Sequence, residues 1–321
     1  PMMDWTDRHC RVFHRQFSKF TLLYTEMVTA AALVRGGAGY LLDHSLCEYP
    51  LALQLGGSEP GLLARAVDMA APLGFCEINL NVGCPSDKVR TGCFGAVLMQ
   101  DPDRVAELVA AMVAAAGPVP ITVKCRIGVD EQDPAAILPA FIAQVRAAGA
   151  AGVIVHARKA WLNGLSPKEN RDIPPLDYDL VHRMKALFPD FPIHINGGIA
   201  SLAAAQVHLA RGLDGVMIGR AAYHRPGEIL GHADAQIFGT ARGPVGCQDA
   251  VLGMLPYIEA ERGAGTPLHQ ITRHMLGAFS GQRGARHWRR ILSEEARKAG
   301  AGPEVVERAL KAVLPEDIAA A

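Results

Sequence analysis

The residues best suited to chemistry lie in the stretch 76–99, which reads CEINLNVGCPSDKVRTGCFGAVLM. It opens as an apolar run of Ile78, Leu80 and Val82, with Asn79 and Asn81 at the alternate positions. A strand has a side-chain period of two, so both asparagines share the face opposite the aliphatic residues. Gly83 ends the run and Cys84 comes next, held against Pro85. A loop of glycine and charge succeeds it (Ser86, Asp87, Lys88, Arg90, Gly92, Gly95). A thiol is thus presented just past the C-terminal end of a strand, beside two amides and a cationic loop. Taken singly, a cysteine there is often no more than a small buried side chain. These neighbours argue for a working one.

The elements that must position it recur with a rhythm. Short apolar runs begin near Phe20, Leu51, Cys76, Pro120, Gly152, Pro192 and Gly215. Their mean spacing, roughly 32 residues, is the size of a βα unit. Helices are predicted between them over 60–71, 102–116, 134–148, 180–188 and 202–211. Near-continuous hydrophobic strands alternating with helices require a parallel sheet covered on both faces. Seven strands are visible, and the opening PMMDWTD reads as the exit of an eighth. The expectation is an α/β fold, a (β/α)8 TIM barrel with most of its first strand lying before Pro1. A doubly wound sheet would carry a glycine-rich turn after its first strand, and the sequence shows none there. Such a barrel works at the C-terminal ends of its strands. Polar residues collect there on strand after strand: Glu26, Gln54, Asn79 with Asn81, Lys124 with Arg126, His156 with Arg158, Asn196, and Gly219 with Arg220.

After about residue 238 the rhythm changes. Residues 239–248, GTARGPVGCQ, form a linker of turn residues. Beyond it only helices are predicted, over 250–262, 268–279, 285–299 and 303–313. The domain reading is a barrel over 1–238 and an all-helical domain over 249–321. Formal net charge is zero, so a nucleic-acid contact would need a local basic patch. One candidate exists: residues 281–293 hold Arg283, Arg286, Arg289 and Arg290 and no acid. At helical spacing Arg283, Arg286 and Arg290 would share a face, although such a run is commonly just a solvated surface. The seven cysteines are odd in number, scattered, and without zinc-ligand spacing. That usage points to a reducing cytoplasm, with neither a disulfide framework nor a metal site. Neither a signal peptide nor an apolar run of about 18 residues is present, so no membrane role is expected.

Two glycine-bearing strand exits, INGGI at 195–199 and GVMIGR at 215–220, should lie side by side. In a barrel these are the loops that cradle phosphate through backbone N–H groups. Gly197, Gly198 and Gly219 allow close backbone approach, and Arg220 adds a cation. That phosphate could belong to a sugar phosphate or to FMN. Lys124 could be a Schiff-base nucleophile or a cation beside a reduced flavin. Gln54, which both donates and accepts, suits the hydrogen-bonding edge of an isoalloxazine better than an aldolase site.

Together, PMMDWTD, LALQLGG, INLNVGCPSDKVRTGCFGAVLM, TVKCRIG, HARKAWLNGLSPKENR, PPLDY, INGGI, DGVMIGR and GQRGARHWRR closely resemble the tRNA-dihydrouridine synthases, specifically their A type. The resemblance runs from Pro1 to about Arg297. It implies an FMN-bearing barrel, a C-terminal helical tRNA-recognition domain, and NADPH-dependent reduction of D-loop uridines at tRNA positions 20 and 20a. By motif it makes Cys84 the catalytic cysteine and places Pro1, Met2 and Met3 under the flavin. Gln54, Lys124 and His156 become flavin contacts, with Asn196, Gly197, Gly198, Gly219 and Arg220 at the phosphate end. It sets Asn81, Lys168, Arg171, Arg283 and Arg286 toward the tRNA. No protein partner is implied, and a monomer is expected.

The chemistry this implies is coherent. Hydride delivered to C6 of uracil leaves enolate character at C5, which an acid must protonate. A thiol with an ordinary pKa of about 8.5 suits that role better than a resting nucleophile. Cys84 is therefore the expected proton donor, and Cys93 is incidental. Lys88 and Arg90, with Lys168 and Arg171, could grip phosphates beside an extruded base. The rival readings are a small-molecule barrel enzyme and a redox-silent RNA binder.

Overall fold

The computed structural model describes residues 1–86 and 92–313. Seven parallel strands succeed one another around a single curled sheet in chain order: β1 (Leu23–Thr29), β2 (Leu51–Gly56), β3 (Glu77–Val82), β4 (Ile121–Arg126), β5 (Gly152–His156), β6 (Ile193–Asn196) and β7 (Gly215–Met217). Each pairs with the next, as Gln54 with Asn79, Asn81 with Lys124 and His156 with Asn196. This is the TIM-barrel type of architecture that the βα rhythm predicts. Helices begin where short polar caps tell them to. Asp101, Asp133, Asp177 and Ser201 each accept a backbone N–H at the start of Pro102–Ala116, Pro134–Ala147, Tyr178–Leu187 and Leu202–Ala210. The apolar faces of strands and helices close over one core that includes Leu53, Ile78, Leu80, Val123, Phe141 and Ile195.

The opening segment sits at the seam between β7 and β1. The N–H groups of Trp5 and Thr6 both donate to Met2 O, at 3.0 and 2.9 Å. The Asp4 N–H donates to the Glu26 carboxylate on β1. On the other side, a Cβ on Gly219 would stand 3.3 Å from Met2 Sδ. The segment therefore lies where an eighth strand would leave the barrel.

Helix Arg8–Phe17 comes next, and periodicity does not announce it. Its sequence RHCRVFHRQF is dominated by basic and imidazole side chains, yet His9, Arg11, His14 and Arg15 are all buried. Arg11 Nε donates to Glu48 Oε2 at 2.6 Å. Arg15 donates to the carbonyls of Ser18, Thr21, Glu48 and Pro50. Held by these bonds, the two cations pack among core residues, so the apolar stripe is hidden from a hydropathy reading.

A second core joins Val12, Phe13 and Phe17 of that helix to Ile229 and Leu230 of Pro226–Gln236 and to the C-terminal helices. Cys247–Gly263 contributes Val251, Met254 and Ile258, and Pro303–Lys311 contributes Val306 and Leu310. One predicted helix is shorter than expected. It spans Leu268–Thr272, and from there to Gly284 the chain makes a run of tight turns, such as Ala278 N–H to Met275 O. Within that run Gly277 passes close to a neighbouring backbone: a Cβ there would stand 2.7 Å from His224 O. A second correction concerns Arg283. The next helix is Ala285–Glu295, entered through Gly284 at φ 81°, so Arg283 precedes it and does not share a helical face with Arg286 and Arg290.

Candidate active site

The Cys84 loop is held by β3 itself. Asn81 Oδ1 accepts the N–H groups of Gly83 and Cys84 at 3.1 and 3.0 Å, and the Cys84 carbonyl accepts the Ala96 N–H at 2.9 Å. Arg126, buried at the end of β4, adds a second tie. Its Nε donates to Gly83 O at 3.1 Å, and its Nη1 to Lys159 O and Asn170 O at 3.1 and 2.8 Å. The loop bearing the thiol and the 159–172 segment are thus pinned to one guanidinium. Cys84 Sγ is half-buried and lies 3.5 Å from Ser86 Oγ. Its sulfur is within electrostatic reach of Lys124, Arg126 and Arg171.

Lys124 points across the mouth from β4, and its Nζ donates to Asn196 Oδ1 at 3.1 Å. Asn196 Nδ2 is anchored in turn on Met217 O at 2.8 Å. Burial, reinforced by the Arg126 cation, lowers the Lys124 ammonium to about 8. His156 at the end of β5 is held well below its usual value, first by burial and then by Arg126 and Lys124, so the imidazole is neutral. Burial also pushes the Glu26 carboxyl up. Two buried polar atoms at this rim have no hydrogen-bond partner among the described residues, Glu26 Oε1 and Arg158 Nε. A buried orphan of this kind calls for a ligand or water.

The glycine exits do more than leave room. Gly197 and Gly198 adopt φ 110° and 69°. A Cβ on Gly197 would stand 2.5 Å from His156 Cδ2, and one on Gly198 2.6 Å from Leu176 Cδ1. Tyr178 OH donates to Gly197 O at 2.7 Å and fixes the turn. The backbone conformation and the His156 ring therefore depend on each other. Gly197→Ala is expected to destabilise the fold by about 1–2 kcal/mol, since a positive φ costs a residue with a Cβ roughly that much before the clash with His156 is counted. Urea denaturation measures this; unchanged stability would show that the turn relaxes without the glycine.

Most of the expected site residues converge on this mouth. Lys124, His156, Asn196, Gly197 and Cys84 face it together, with Met2 against Gly219 at the seam, and Pro1 lies in the field of Lys124 and Glu26. Met3 is exposed. Arg220 opens the short helix Arg220–His224 and pairs with Asp172 Oδ1 at 2.9 Å. Arg171, one residue away, is lowered by burial and by Arg220. Lys168 and Arg171 flank Asn170, which is fully buried and bonded to Trp161 and Leu165, so the 161–171 segment is wound around one side chain. Arg283 and Arg286 are exposed on the helical side of the molecule. Asn81, expected to face RNA, is 8% exposed and uses both amide atoms inside the protein. Lys88 and Arg90 lie outside the described residues.

Gln54 is 1% exposed and bonded through both amide atoms: Nε2 to Asn79 Oδ1 and Oε1 from Asn81 Nδ2, each at 2.8 Å. It retains one N–H and one lone pair. The mouth therefore offers spare donors at Lys124, Gln54 and Arg158, and a neutral imidazole packed against a glycine turn. That set fits a planar, hydrogen-bonding ring carrying a phosphate.

Known proteins resemble the chain as a whole. The family model described as Dihydrouridine synthase (Dus) matches residues 1–314. A tRNA-dihydrouridine(20/20a) synthase of Vibrio cholerae is 54% identical over 320 residues, covering 99% of this chain and 96% of that protein. One of Escherichia coli K12 is 54% identical over 314 residues, 98% of this chain and 90% of its own. Among solved structures, morphinone reductase superposes with a TM-score of 0.51 at 13% identity, covering 77% of this chain and 85% of its own, which speaks to the barrel fold. With a thiol loop, a buried lysine and a glycine turn gathered at one barrel mouth, and a family match spanning nearly every residue, this chain belongs to the dihydrouridine synthase family.

Proposed function

We propose that the protein reduces uridine to 5,6-dihydrouridine in the D-loop of tRNA, at positions 20 and 20a, with FMN as its flavin and NADPH as reductant. The observation that carries this reading is the Cys84 loop, pinned by Asn81 and Arg126 over the mouth that Lys124, His156 and Asn196 share. The relatives' names supply the positions. In this reading Pro1, Met2, Met3, Gln54, Lys124, His156, Asn196, Gly197, Gly198, Gly219 and Arg220 hold FMN. Its chemistry, when bound, is hydride donation to uracil C6, renewed by NADPH.

The chain's own groups do the rest. Cys84 Sγ holds the proton that C5 must receive. Lys124, charged below about pH 8, offers a cation to the electron-rich carbonyl edge of the base or the ring. His156, kept neutral, can donate one hydrogen bond and accept another without adding charge. Lys168 and Arg171 stand exposed beside the mouth, where phosphates next to an extruded base would pass. We assign the helical domain, expected over 249–321 behind a 239–248 linker but entered already at Cys247, to RNA docking through Arg283 and Arg286. We take the protein for a cytoplasmic monomer, its free cysteines fitting a reducing compartment.

The test is dihydrouridine formation on unmodified tRNA, with binding measured across salt. Arg283→Ala with Arg286→Ala is expected to retain flavin and to lower the salt slope of binding by about two, one for each phosphate no longer held. No dihydrouridine, or binding insensitive to salt, would refute the assignment.

A further inference from the structure

A line of hydrogen bonds runs through the barrel interior from its floor to the thiol loop. At the floor, Glu77 Oε1 accepts from Tyr24 OH and from Thr122 Oγ1, both at 2.6 Å. Thr122 Oγ1 accepts from Asn79 Nδ2 at 2.8 Å. Asn79 Oδ1 accepts from Gln54 Nε2, and Gln54 Oε1 from Asn81 Nδ2, each at 2.8 Å. Asn81 Oδ1 then takes the N–H groups of Gly83 and Cys84. All five side chains from Glu77 to Asn81 along this line are buried.

The direction of this line is not free. A carboxylate has no hydrogen to give, so Thr122 must spend its only hydroxyl proton on Glu77. That leaves Thr122 as an acceptor, which turns the NH2 of Asn79 toward it and the carbonyl of Asn79 toward Gln54. The same reasoning orients Gln54, then Asn81. At the far end the backbone N–H groups can only donate, and they demand the same polarity. Amide orientations are ordinarily ambiguous; here both ends dictate them.

We propose that Glu77 is a positioning residue: its carboxylate sets the polarity of Thr122, Asn79, Gln54 and Asn81, and thereby aims the carbonyl of Asn81 at the Cys84 loop. Neither Glu77 nor Thr122 touches the thiol. Each acts through the next side chain, and a reversal anywhere along the line turns an NH2 against the N–H groups of Gly83 and Cys84. The inference rests on Cys84 being the working thiol of the proposed reaction.

The test pairs substitutions that differ in polarity more than in volume. Thr122→Val removes the hydroxyl while keeping the shape, and Thr122→Ser keeps the hydroxyl. In the holoenzyme, Thr122→Val is expected to lower kcat for dihydrouridine formation about tenfold at unchanged KM for tRNA, the cost of a misplaced reacting group. It should also raise the iodoacetamide alkylation rate of Cys84, followed at that peptide by mass spectrometry, and Thr122→Ser should restore both. Asn79→Asp sets two acceptors against each other through Thr122. Adding Glu77→Gln, whose amide can turn its nitrogen to Thr122 and Tyr24, should recover most of the loss. Thr122→Ser behaving like Thr122→Val, or a double variant no better than Asn79→Asp, would overturn the proposal. If Asn79→Asp does not fold, the two Thr122 variants decide alone. Should the parent protein make no dihydrouridine, the functional reading fails while the alkylation rates still report on polarity.

Discussion

Cys84→Ala is expected to keep its flavin and its fold while dihydrouridine formation falls by about 10²–10⁴-fold, the range a placed general acid contributes. The fold should survive because nothing that shapes the loop uses the sulfur. Asn81 and Arg126 hold backbone groups of Gly83 and Cys84, and the Ala96 N–H donates to the Cys84 carbonyl. All of these bonds remain in the alanine variant. The sulfur's own contact is a long one, 3.5 Å to Ser86 Oγ, so the stability change should stay within about 0.5 kcal/mol. Cys93, exposed and at φ 55°, supplies the control: Cys93→Ala should leave turnover nearly intact. Quantifying dihydrouridine in treated tRNA by nucleoside mass spectrometry separates the two. Full turnover by Cys84→Ala would remove the thiol from the mechanism.

Lys124→Met should separate stability from activity. The folded ammonium is lowered from 10.5 to about 8, chiefly by burial. Between those values the unfolded chain binds the extra proton, so stability rises with pH across that window. Below about 8 the folded chain carries the full cost of a buried charge. A methionine of similar length removes that cost but strands Asn196 Oδ1, which now accepts from Nζ. The balance is a gain of about 1–2 kcal/mol in the flavin-free protein at pH 7, readable by urea denaturation. Turnover should fall about 10²–10³-fold, as when a preorganised donor is lost from a developing charge. In the parent enzyme the same group predicts activity declining as pH rises through about 8. A variant both less stable and fully active would show that Lys124 serves packing alone.

Much of the barrel is legible in the sequence because its strands repeat a simple rule. Gln54, Asn79, Lys124 and His156 stand at the polar phase of otherwise apolar runs, and parallel pairing in chain order brings them together. Helix starts are legible too, since Asp101, Asp133 and Ser201 are short caps that bond only locally. The floor of the barrel is harder to see. Chemistry is expected at strand ends, while Glu77 and Thr122 lie at strand beginnings. The signal is nonetheless present: positions 77, 79 and 81 share one parity, as do 122, 124 and 126. Helix Arg8–Phe17 stays hidden because its buried Arg11 pairs with Glu48 and its Arg15 reaches carbonyls as far along the chain as Pro50, and no local window contains that information. The close pass of Gly277 by His224, within the turns before Gly284, is likewise a contact between distant segments.

The N-terminal segment ties the barrel seam to the second core. Trp5 stacks on Tyr223 with ring centroids 4.5 Å apart, and Asp7 accepts from His274 Nε2 at 2.9 Å and from Arg273. Phe13 and Phe17 lie sealed under the helices beyond residue 246. Severing the chain near the linker would strip cover from those rings and unmoor the turn carrying Met2 from the seam it closes. The C-terminal helices thus serve as a keystone for the barrel mouth, and unfolding them should loosen the seam that Met2 closes.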